Sequence, residues 1–126
     1  MKCAKSIVLL LLLAAVLFPF AGWSATKGAT IKGYVIDSAC AFVKNLKKPI
    51  SPACATACAK AGSPLVILAN DGTIYWPISK AVPATGQNER LMKYAGQKVA
   101  VRGTVYIKGG SHAIVIERIE PVSAGK

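Results

Sequence analysis

A chain of 126 residues has room for one domain and no second. Sixteen Lys and Arg stand against five acids and one histidine, a formal charge of +11 that suits contact with anionic surfaces if it suits any partner, although most of the charges are scattered singly, as on a solvated face. With a single histidine, no Gly-x-Ser-x-Gly elbow and no evident carboxylate pair, the usual hydrolytic machinery is excluded.

The chain opens with the three parts of a secretory signal. Lys2 and Lys5 form a charged start, Ile7 to Phe18 is an unbroken apolar run, and Pro19 and Gly22 precede the small residues Ser24 and Ala25. The run of twelve apolar residues is shorter than the ~20 that a spanning helix needs, so a cleaved signal over 1–25 is expected rather than an anchor. Cleavage is expected near Ser24–Ala25 or Ala25–Thr26. Cys3 precedes the apolar run and would leave with the signal. The expected product is a periplasmic or extracellular protein with no membrane span and a single domain over 26–126. That domain is large enough to bury its own core and carries a charge of +9.

Residues 26–30 read as a polar lead-in. Residues 30–37 alternate, with Ile31 and Val35 on one face and Lys32 and Tyr34 on the other, which predicts a strand with Gly33 at a bulge or bend. Ser38 to Ile50 reads as a loop holding Cys40, Phe42 and the basic group Lys44, Lys47 and Lys48. A helix of about ten residues follows. Ser51 is a good N-cap, Pro52 suits the first helical position, the interior is rich in alanine and Gly62 supplies the stop. Residues 64–69 suit a buried strand, Asn70-Asp71-Gly72 a hairpin turn and Thr73 to Trp76 a return strand ended by Pro77. Residues 87–95 predict a short helix stopped by Gly96. Lys98–Lys108 and His112–Glu120 alternate as strands about the Gly109-Gly110 turn.

The fold class expected from this order is mainly β. It is a small five-stranded OB-like barrel with a cysteine-bearing helix inserted between strands 1 and 2 and a short helix between strands 3 and 4. A meander with two helices on one face is the alternative. The segments GYVIDSAC, CATACAKAGSPLVIL, DGTIYWPI and YAGQKVAVRGTVYIKGGSHAIVIERI together resemble a group of small secreted bacterial OB-like proteins of uncharacterised function. The resemblance covers nearly all of the chain after the signal. Its distinctive marks are a strand ending in Asp-Ser-x-Cys and a Cys-x-x-x-Cys helix. Members of the group often carry a histidine near these cysteines, and this sequence does not. The resemblance therefore implies export and fold, and supplies no activity.

Cys54 and Cys58, four apart, share one face of the predicted helix, an awkward spacing for a disulfide between them. Three chemistries stay open. Cys40 could bond to Cys54 or Cys58 as a structural staple in an oxidising compartment, leaving one thiol over. Cys40, Cys54 and Cys58 could converge on a soft ion, copper or zinc. Cys54, in the first turn of the helix, could act as a redox thiol with Cys58 or Cys40 resolving it. His112 would join a metal site only if the last hairpin folded back. Asp37 reads as a turn or cap residue at the strand end. Tyr75 and Trp76 read as a cross-strand packing pair or a ligand-facing patch. Nucleic acid is disfavoured, because no Lys or Arg falls between Lys60 and Lys80, the stretch that would form its face. The expected function is a non-enzymatic exported binding module, whose partner is an anionic surface or another exported protein.

Overall fold

The computed structural model describes residues 22–123. Five strands are built from the alternating segments: β1 (Ser24–Asp37), β2 (Leu65–Ala69), β3 (Ile74–Pro77), β4 (Lys98–Lys108) and β5 (Ser111–Pro121). They close in the order β1-β2-β3-β5-β4, antiparallel throughout except for the parallel pair β3–β5. This is the expected OB-like barrel. Its closure leaves only short stretches of edge, which matters for a sheet this small. One side chain in two points inward, so Val35, Leu65, Ile67, Val99, Val101, Val105, Ile114 and Ile116 form the interior core.

Three helices complete the domain: α1 (Ser38–Phe42), α2 (Pro52–Lys60) and α3 (Asn88–Leu91), the last running into a 3-10 turn at Met92–Tyr94. Ala55 and Ala59 of α2, with Leu91 and Ala95, pack against the barrel interior. The alanines permit that close approach. Gly96, at φ +76°, lies so near the Pro52 backbone that a Cβ there would collide with it. Asn88 ties the same end together. Its Oδ1 accepts from Leu65 N at 2.8 Å, and its Nδ2 donates to Ser63 O at 2.8 Å. No sequence pattern marked Asn88 for this task.

Three local readings are corrected. β1 starts at Ser24, so the expected lead-in is paired: Ser24, Ala25 and Thr26 lie opposite Ile107, Tyr106 and Val105. The bulge falls between Thr26 and Ala29, at Gly28, and not at Gly33. Gly33 is instead where β1 pairs on both sides, with Ala69 of β2 and Val99 of β4, and the β2 backbone leaves no room for a Cβ. Finally, the expected loop over 38–50 begins with α1. Asp37 caps it, accepting from Cys40 N at 3.0 Å, and Ala39 and Ala41 favour the turn.

The 38–50 segment covers the outer face of β1 and β2. Ile36, Ala41, Val66 and Leu68 make a second core there, with Leu46, Ile74 and Trp76 against it. β2 is consequently buried on both faces. Among the described residues no helix is long and apolar enough to cross a membrane. The expected signal peptide lies outside the described residues except for its last four positions.

Candidate metal centre

Three elements meet at the end of β1. Asp37 is its last residue, Cys40 lies in the first turn of α1, and Cys58 lies in the last turns of α2. One carboxylate oxygen of Asp37 and the sulfurs of Cys40 and Cys58 all lie within 4.8 Å of one another. Donors held on ~2.3 Å bonds around a tetrahedral ion are about 3.7 Å apart, so this group is within about 1 Å of closing on one.

Capping and turn chemistry put each group in place. Asp37 Oδ1 accepts from Cys40 N and from Ser63 Oγ, at 3.0 and 3.2 Å, which joins the start of α1 to the segment just past α2. Ser38 N donates to Pro64 O at 2.8 Å and fixes the same junction. Ser51 Oγ accepts from Cys54 N at 3.0 Å and caps α2 as the sequence predicts.

The electrostatics of the group centre on Asp37. It is 1% exposed, and its Oδ2 is buried with no hydrogen-bond partner. Burial by itself pushes its pKa up. Hydrogen bonds from Cys40, Ser63 and Cys58 outweigh that and hold the carboxyl below its ordinary value. The group is therefore a buried anion at neutral pH, and the ion pair among the described residues, Arg118–Glu120, lies elsewhere. Hydrogen bonding to Asp37, then burial, pushes the Cys40 thiol up to about 12. Burial and the nearby Asp37 charge raise Cys58 as well. Cys40 and Cys58, the two thiols expected to resolve a redox reaction, are thereby made poor nucleophiles.

The three cysteines predicted to converge do so unequally. Cys40 and Cys58 meet, while Cys54, one turn before Cys58, stays outside the 4.8 Å group. Asp37 takes the place expected for Cys54. Its role as a cap was readable in the sequence; its closeness to two thiols was not. Among the described residues Cys40, Cys54 and Cys58 are all free, and no disulfide joins the loop to the helix.

His112 does not fold back. It packs edge-on against Tyr75, with ring centroids 5.5 Å apart. Tyr75 and Trp76 do not pair with each other, because successive residues of β3 face opposite ways. Tyr75 joins the interior core, and Trp76 stacks on Phe42 outside the barrel at 6.0 Å. A surface cleft lined by Glu89, Arg90, Tyr94, Glu117 and Arg118 carries mixed charge and includes none of the cysteines. Compared with models of protein families, with curated proteins and with solved structures, the chain has no significant match in any of the three.

Proposed function

We propose that this protein is an exported, non-enzymatic binding module that holds one thiophilic metal ion through Asp37, Cys40 and Cys58. The observation that carries this reading is the Asp37 carboxylate. It is buried, ionised and lacks a partner on Oδ2, yet two thiols and no cationic side chain lie against it. Hydrogen bonds keep the carboxylate ionised, no cationic side chain neutralises it, and a bound cation would do so directly. Binding would also release the thiol protons, since a metal takes thiolates.

The donor set favours zinc over copper. Zn(II) accepts cysteine sulfur and aspartate oxygen alike, while Cu(I) prefers sulfur alone. Cys54 stands one helical turn away as a candidate fourth donor. The export expected from the N-terminal segment fits a site whose thiols must be kept from oxidation, and the ion would do that.

Native mass spectrometry of the reduced chain, mixed with equimolar Zn(II) and separately with Cu(I), tests the reading. One retained ion per chain is expected, with Zn(II) surviving a competing chelator better than Cu(I) does. Alkylation under denaturing, chelating conditions should label Cys40, Cys54 and Cys58. Retention of neither ion, or a Cys40–Cys58 disulfide in protein taken from its compartment without reductant, would overturn it.

A further inference from the structure

The segment between the two cysteine-bearing helices carries an independent feature. Phe42, Val43 and Ile50 are 57, 80 and 72% exposed, an unusual density of large apolar side chains on nine residues of surface. Lys44, Lys47 and Lys48 are interleaved with them and also exposed. No acidic residue occurs from Ser38 to Asn70, and no carboxylate pairs with these lysines among the described residues.

The segment is held in shape rather than loose. Leu46 is packed into the outer core, and its N–H donates to Cys40 O at 3.1 Å. Asn45 turns the chain in the left-handed region at φ +50°, and Phe42 rests one face on Trp76. The barrel thus presents a fixed knob on which exposed apolar side chains and lysines alternate along the chain. Burying those apolar side chains among the nine residues' own neighbours would need a second layer that the domain does not contain.

We infer that this knob docks reversibly on an anionic phospholipid surface. The apolar side chains would enter the headgroup boundary while the lysine stems lie along it, with their ammonium groups at the phosphates. Bare apolar contact would serve a protein partner equally well. The interleaved lysines without a single acid are what select a negatively charged bilayer. Nucleic acid fits less well, because Phe42 and Trp76, the aromatics at the knob, each already give one ring face to the other.

Co-sedimentation with vesicles tests this on residues 22–126, which contain every residue of both cores. The probes are phosphatidylcholine alone and phosphatidylcholine mixed with phosphatidylglycerol. Binding is expected only with the anionic lipid, and it should weaken as salt is raised. Each lysine near such a surface is worth about fivefold in partitioning, so the triple change Lys44→Gln, Lys47→Gln, Lys48→Gln should lower it on the order of a hundredfold. Val43→Ser with Ile50→Ser should lower it too, and neither set should shift thermal unfolding. Phe42 is left intact because it packs on Trp76. Equal binding to neutral vesicles, wild-type binding by the lysine variant, capture by a DNA oligonucleotide in preference to vesicles, or a dimer broken by the Val43 and Ile50 changes without vesicle binding would each overturn the inference.

Discussion

The barrel and the segment inserted into it between β1 and β2 obey different rules. In the barrel, position dictates residue type: apolar where a face is covered, polar where it meets solvent, glycine where backbones touch. In the insertion, residues 38–64, and at the Asp37 that anchors it, a buried anion, three free thiols and three exposed apolar side chains are retained at some expense in stability. Stability alone would favour apolar pairs at the first of these and polar groups at the last. The contrast separates what keeps the domain folded from what it carries.

Breaking the barrel should give the largest effects. Gly33→Val forces a side chain into the β2 backbone, and no folded protein is expected by circular dichroism. Ile67→Ala or Leu91→Ala, both fully buried, should cost about 2–5 kcal/mol in denaturant unfolding. If those variants instead cost less than the changes at the cysteine site, the contrast fails.

Asp37 sits on the border between the two regions and sharpens the comparison. Asp37→Asn keeps an oxygen to accept from Cys40 N and Ser63 Oγ while removing the charge. Metal-free stability at neutral pH should be somewhat lower, because the lowered folded pKa means that the charged form supports the fold, and Zn(II) affinity should fall about 100-fold or more by chelator competition. Asp37→Ala loses the cap as well and should cost about 1–3 kcal/mol in the metal-free chain. Cys58→Ser should abolish metal retention with stability within about 1 kcal/mol of the parent.

The metal-free site should also respond to pH. The folded Cys40 thiol is raised to about 12 from an ordinary 9.0, so the folded state holds this proton the more tightly. Its contribution is complete below about pH 9 and is lost as pH rises from there towards 12. Asp37 runs the other way. Its folded pKa is lowered, so its contribution is present above its ordinary 3.8 and is lost as pH falls through the folded value. Unfolding midpoints in denaturant across both ranges would show the two losses, and in the Asp37→Asn profile the acid loss should vanish while the alkaline loss shrinks to what burial leaves. The smallest effect is expected at Ser51→Ala, about 1 kcal/mol from the lost cap of α2.

Local chemistry was legible in the sequence wherever the structure uses local rules. The Ser51-Pro52 start and Gly62 end of α2, the Asn70-Asp71-Gly72 turn and the Gly109-Gly110 turn all stand where residue preference puts them. Alternation likewise predicts the inward face of β4 at Val99, Val101 and Val105, while Ile107, read onto the same face, is exposed near the strand end. β1 was read too short because Thr26 to Thr30 lacks a clean alternation around the Gly28 bulge, and it is β4 that pairs there.

Residue type alone thus determined a small basic β barrel with an inserted helix and a cluster of cysteines of undecided chemistry. Tertiary structure decided which sulfurs meet and what meets them. Helical spacing sets Cys54 and Cys58 on one face but says nothing of the distance to Cys40, which depends on how α1 folds back over β2. It also turned a capping aspartate into a buried anion, because the depth of burial of a strand's last residue depends on the elements packed around it and not on its neighbours in the chain.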